Sequence, residues 1–147
     1  MALTVEQNKH EQEYVLDEQV GYLLRIANQR HAVIFQKYVS EDLTPTQFST
    51  LVRIAEHGQL SQNHLGRLAA MDVATIKGVV DRLKTKDLVR STPDLKDKRR
   101  SIISLTAKGQ VAAEKLKTDG VVITRKTLDP LKPSERKTLL ALLKKIS

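Results

Sequence analysis

Leu88-Val89-Arg90-Ser91 and Ser101-Ile102-Ile103-Ser104-Leu105 are short β-like runs, separated by Thr92-Pro93-Asp94-Leu95-Lys96-Asp97-Lys98-Arg99-Arg100. The intervening stretch is turn-forming and basic, so the segment reads as a hairpin of two strands with a charged loop. What precedes the hairpin is helical. Asp72 caps a helix with Val73, Ile76, Val79, Val80 and Leu83 apolar, and Val73, Ile76, Val80 and Leu83 are expected to be buried. Its other face then shows Ala74, Thr75, Lys77, Gly78 and Asp81, with Arg82 and Lys84 towards the end.

Further upstream, Ser61 caps a helix with Leu65, Leu68 and Ala69 inward, joined to the next through Ala69-Ala70-Met71-Asp72. Before it, Leu43-Thr44-Pro45-Thr46-Gln47-Phe48 is a helix-start signal with Thr44 as N-cap, Pro45 at N1 and Gln47 at N3. Phe48, Leu51, Val52 and Ala55 mark that helix's core face, and Gly58 ends it. A longer helical pattern begins at Leu16, with Asp17 and Glu18 in its first turn and Val20, Leu23, Leu24, Ala27, Ile34, Phe35 and Tyr38 at helical spacing. Residues 1–15 read as a loose polar arm. Beyond the hairpin, Thr106 caps a helix running to about Lys126, Pro130 and Pro133 interrupt, and Leu139, Leu142, Leu143 and Ile146 give a last amphipathic helix.

Helix, helix, short turn, helix and a basic hairpin make a winged helix-turn-helix, in a chain that is mainly α with a small β-hairpin. Small, hydrogen-bonding residues near the start of the fourth helix suit entry into a major groove. Lys96, Lys98, Arg99 and Arg100 at the hairpin tip can neutralise phosphates.

Composition agrees. The 147 residues carry 25 Lys+Arg against 17 Asp+Glu, a formal +8. Residues 1–60 are net −3 (5 basic, 8 acidic) and residues 61–147 net +11 (20 basic, 9 acidic). A basic segment on an otherwise balanced chain points to a polyanionic partner or to a solvated Lys-rich face. Five aromatics are too few for base-stacking platforms, so duplex DNA fits better than single strands or RNA. The absence of cysteine excludes thiolate nucleophiles, Cys-ligated zinc and iron–sulfur clusters. The four His residues lack the spacing of a helical metal pair, and Glu56, His57 and His64 are the nearest approach to a ligand cluster. No catalytic or dinucleotide motif appears, so neither an enzyme nor a cofactor is expected. No apolar run approaches a membrane span and MALTVEQNKHEQE lacks a signal-peptide apolar region, so a cytoplasmic (bacterial cytosol or nucleoid) location is expected.

Asp97-Lys98-Arg99-Arg100-Ser101-Ile102-Ile103-Ser104-Leu105-Thr106-Ala107-Lys108-Gly109 resembles the D-x-R-x-x-x-[LIV]-x-L-T-x-x-G wing signature of the MarR family of transcription regulators. Leu60 to Leu83 is similar to the same family in order and spacing. The resemblance implies a homodimer whose terminal helices interlock and whose winged domains reach successive major grooves of a pseudo-palindromic operator. The expected division is 1–40, an arm and dimerisation helix; 41–106, the winged domain; and 107–147, C-terminal dimerisation helices. The residues lend their own support, since both terminal segments carry apolar faces that something must cover; folding back on their own subunit is the other way to cover them. Asp87 stands where the family has Gly, and Asp tolerates the left-handed turn required.

The expected DNA contacts are Ser61, Gln62, Asn63, Thr75, Lys77, Arg82, Lys96, Lys98, Arg99 and Arg100, with Asp97 building the wing. Arg82 lies near phosphates or holds Asp97. Repressors of this type release DNA when a small aromatic acid binds. Leu16 to Val20, Ala27 to His31 and Met71 to Gly78 look like the branch responding to hydroxylated nicotinate, which implies a pyridine carboxylate effector held by His31 and Arg25. His31 is the one titratable member of the seam 20, 24, 27, 31, 34, 38, and on general grounds such a residue is more often a core His satisfied by a neighbouring carbonyl. Arg25 and Arg30 are also readable as surface residues. A winged protein–protein module, or an activator without an effector, is the competing function.

Overall fold

The computed structural model describes residues 13–147, so most of the expected N-terminal arm lies outside the described residues. The chain runs α1 (Val20–Tyr38), α2 (Pro45–His57), β1 (Gln59–Ser61), α3 (Gln62–Leu68), α4 (Val73–Thr85), β2 (Val89–Pro93), β3 (Ser101–Leu105), α5 (Ala107–Thr127) and α6 (Pro133–Ile146). It is a winged helix-turn-helix: α2, α3 and α4 pack on a small antiparallel sheet of order β1-β3-β2.

Local chemistry sets most boundaries. Thr44 and Gln47 form a reciprocal capping box with Pro45 in the first turn of α2. Ser61, Asp72 and Thr106 each accept the backbone N–H of the third residue of α3, α4 and α5. Gly58 ends α2 at φ 77°. Asp87 takes φ 60°; Leu88 N–H donates to the Leu83 carbonyl at 3.0 Å and Asp87 N–H to that of Lys84 at 2.9 Å. That is a Schellman ending with an aspartate in glycine's place. Ala70 repeats it at φ 54° in the turn between α3 and α4, with Met71 N–H on the Gly66 carbonyl at 2.8 Å.

Three features differ from the sequence reading. The helical pattern from Leu16 divides into a 3-10 turn, Leu16–Glu18, and α1, because Gln19 is extended between them; Asp17 and Glu18 therefore lie outside the first turn of α1. The hairpin gains a third strand, Gln59–Ser61, on the free edge of β3, with Leu60 opposite Ile103. Val73 is not buried but 70% exposed, and Val79 takes the core place beside Ile76, Val80 and Leu83. Side chains on a helix lean towards its N-terminus, so a first-turn residue overhangs the end of α4 rather than the core beneath it.

The core joins Leu51 and Ile54 of α2, Leu65 of α3, the α4 face, Leu88 just before β2, Val89 and Ile103 of the sheet, and Ala112, Ala113 and Leu116 of α5. The terminal helices contribute little: α6 buries none of its residues and α1 only Phe35. Val20, Leu23, Leu24 and Ile26 on α1 and Leu140, Leu142 and Ile146 on α6 are exposed. Among the described residues no helix is long and apolar enough to cross a membrane.

Candidate nucleic-acid interface

The fold brings two basic regions of the sequence onto one surface. A small cleft of about 90 Å³ is lined by Ser61, Gln62 and Asn63 at the start of α3 and by Arg99, Arg100 and Ser101 at the base of the hairpin loop. The pairing of β1 with β3 draws them together, because Ser61 lies opposite Ile102. A second cleft is lined by Asn63, Gly66 and Arg67 of α3 and by Met71, Asp72, Val73 and Ile76 around the start of α4. Asn63 belongs to both, so the surface is continuous from wing to α4. Arg67 was missed in the sequence reading; its position four residues after Asn63 on one helix face was the available signal.

On α4, Thr75 is exposed, and its N–H donates to Asp72 Oδ1 at 2.7 Å. That bond, with the Thr75 hydroxyl adding to it, holds the Asp72 carboxyl below the usual carboxylate range. Lys77 donates to Asp81 Oδ2 at 3.0 Å, which lowers the Asp81 pKa in turn. Both ions are solvated, so Lys77 can leave Asp81 for a phosphate at little cost. Gly78 has open space where a side chain would stand.

The wing loop is closed by its own acids. Asp97 Oδ1 accepts the Arg99 backbone N–H and the Arg99 Nε, both at 3.1 Å, and Oδ2 accepts Nη2 at 3.3 Å. These bonds, aided by the Arg100 charge, hold the Asp97 carboxyl below its ordinary range. Asp97 is thus held by Arg99, two residues away, and not by Arg82, which stays exposed on α4. An aspartate turned onto its own loop amides has no oxygen directed at a neighbouring helix. Lys96, Lys98, Arg99 and Arg100 are all exposed around that loop.

The residues expected at an effector site lie elsewhere, on α1. His31 is half-buried, with Nδ1 2.8 Å from the Thr127 hydroxyl at the end of α5. Its partner is therefore a side-chain hydroxyl rather than the carbonyl expected of a core His. Arg30 donates to the Thr127 carbonyl and, at 3.1 Å, to that of Lys126, closing the C-terminus of α5 where a cation is favoured. Arg25 stacks over the Tyr22 ring, 5.5 Å from its centroid. The His57 and His64 rings lie 6.2 Å apart, but among the described residues no three metal-ligating side chains converge.

Comparison with known proteins bears on this surface. The MarR family model matches residues 43–101, which span α2 to the start of β3. The HTH-type transcriptional repressor NicR of Pseudomonas putida is 40% identical over 134 residues, 90% of this chain and 85% of that protein. The crystal structure of a probable transcriptional regulator from Pseudomonas aeruginosa superposes with a TM-score of 0.87 at 44% identity, covering 90% of this chain and all of that one. Bordetella bronchiseptica BpsR, whose DNA binding is regulated by 6-hydroxynicotinic acid, superposes with a TM-score of 0.84 at 36% identity, covering 90% and 96%.

Proposed function

The chain belongs to the MarR family of DNA-binding transcription regulators, which are not enzymes, and from that premise we propose that it is a homodimeric repressor released from its operator by a small aromatic acid. The observation that carries the DNA-binding part is the continuous surface in which Asn63 joins the wing arginines to the start of α4. Thr75, Lys77 and the open backbone at Gly78 face the major groove. Ser61, Gln62 and Asn63 sit with Arg99 and Arg100 against the backbone phosphates, Lys96 and Lys98 flank them on the wing, Arg82 reaches a further phosphate, and Asp97 holds the wing's shape. Hydrogen-bond readout of base edges then belongs to α4, and salt-dependent affinity to the wing.

Residues 41–106 act as the reading domain, while 1–40 and 107–147 join two copies. The exposed apolar faces of α1 and α6 support that division, since contiguous apolar surface on a monomer marks an interface. A pseudo-palindromic operator follows from the two-fold symmetry of such a dimer. The likeness to BpsR supports a hydroxynicotinate-type effector, and Arg25 and His31 are its proposed partners; Arg30, engaged on α5, takes no part.

A gel shift of DNA upstream of the protein's own coding sequence, titrated with aromatic acids including 6-hydroxynicotinate, tests both parts. Retardation reversed by one acid is expected. No retardation of any duplex at low salt overturns DNA binding, and retardation that no acid reverses overturns the effector. Arg99→Ala should weaken binding to every sequence and flatten its salt dependence, whereas changing Thr75 should alter sequence preference. Equal losses from both on all sequences would refute the division of roles.

A further inference from the structure

Leu95 is 99% exposed, more than any other large apolar side chain among the described residues. Its setting is rigid. Asp94 N–H donates to the Arg100 carbonyl and Arg100 N–H to that of Asp97, each at 2.9 Å, closing the loop across its neck. Lys96 N–H donates to Asp94 Oδ1 at 2.9 Å and Arg99 N–H to Asp97 Oδ1 at 3.1 Å. Both loop carboxylates are therefore engaged with the loop's own amides. What remains directed outward is one isobutyl group among Lys96, Lys98, Arg99 and Arg100.

The neighbours decide what that group can meet. An apolar protein pocket would bury it only by stripping water from adjacent cations without compensation. A DNA minor groove offers both requirements at once, phosphates along its rims and sugar walls within, in a slot about 6 Å wide. A loop already fixed by its own hydrogen bonds loses little conformational freedom on insertion. Building on the DNA-binding reading above, we propose that Leu95 is an apolar wedge that the wing carries into the minor groove, against a deformable base step flanking the bases read by α4. Apolar wedges of this kind favour flexible pyrimidine–purine steps without any hydrogen bond to a base. Sequence preference would then extend beyond the bases that α4 touches.

Selection from a randomised duplex pool with the full-length protein, followed by fluorescence anisotropy on the selected duplex, tests this. Leu95→Ala should bind that duplex about tenfold more weakly, the order expected for losing part of a leucine's burial at two wings. Its salt slope should be unchanged, because no charge is removed. Pools selected by Leu95→Ala should keep the central half-site bases and lose the preference at the flanking step, and Leu95→Met should restore it. Affinity within twofold of wild type together with an intact flanking preference would overturn the wedge alone. Failure of the wild-type protein to select any duplex would overturn the DNA-binding reading and the wedge with it. An exposed tip residue leaves folding untouched, so matching melting curves separate binding loss from misfolding.

Discussion

Gly109 is where the reading domain is bolted to α5, and replacing it with alanine should separate them. Thr106 caps α5, Gly109 N–H donates to the Thr106 hydroxyl at 2.9 Å, and Thr106 N–H donates to the Leu88 carbonyl at 3.1 Å. The start of α5 therefore lies directly against Leu88, the residue that leads into β2. A Cβ at position 109 would stand 1.8 Å from the Leu88 oxygen and 2.8 Å from its carbonyl carbon, where ordinary contact begins at 3.4 Å. The shortfall of about 1.6 Å is against backbone, which has no rotamer to change. Relief means backing α5 away from Leu88 by that distance, which breaks the Thr106–Leu88 hydrogen bond.

Overpacking of this severity costs up to about 3 kcal/mol and the hydrogen bond about 1, while alanine's helix preference over glycine returns just under 1. The net is about 3 kcal/mol, or a fall in melting temperature of about 9 °C for a chain of this length. Circular dichroism melts at matched protomer concentration measure it, since the proposed dimer would make the midpoint concentration-dependent. A Gly109→Ala midpoint within 2 °C of wild type would show that α5 is not seated on Leu88 and would remove the geometric account of the glycine in T-x-x-G.

Gly78→Ala should do the opposite to stability, because nothing stands near the added methyl: a gain of about 0.5–1 kcal/mol, read as a midpoint about 2–3 °C higher. If the α4 backbone approaches base edges, the same variant should lose at least about tenfold in operator affinity, and a stabilised protein with unchanged affinity would take that face off the DNA. Asp72 titrates lower folded than unfolded, so its charged form stabilises the fold above the ordinary aspartate value near 3.8, and that contribution disappears as pH falls through the depressed folded value. Asparagine caps a helix as well but carries no charge, so Asp72→Asn should melt below wild type at pH 6 and converge with it between pH 4 and 2. A gap of constant size over that range would show that the charge at Asp72 contributes nothing.

The features legible in the sequence are those that short-range chemistry decides. The side chains of Thr44, Ser61, Asp72 and Thr106 each find a partner within three residues, so four helix starts could be read without knowing the fold. The wing was legible because two β-like runs flank a turn-forming basic stretch, whereas the bonds by which Asp97 holds the Arg99 backbone and guanidinium were not read. The alternative in which Arg82 holds Asp97 asked a local motif to make a tertiary contact, and the nearer partner prevailed. β1 was invisible because three residues after Gly58 are too few to establish a strand period, and only the edge of β3 makes them a strand. Its consequence, the meeting of Ser61 with the wing arginines, was hidden with it. Arg30 and His31 illustrate the longer-range limit, since their partners Lys126 and Thr127 lie nearly a hundred residues away. The apolar faces of α1 and α6 stand in a further class: their hydrophobic spacing was plain, yet one folded copy leaves them in water. Nothing among the described residues covers that pattern, and for that reason the reading of these helices rests on a proposed second copy while the reading of the wing does not.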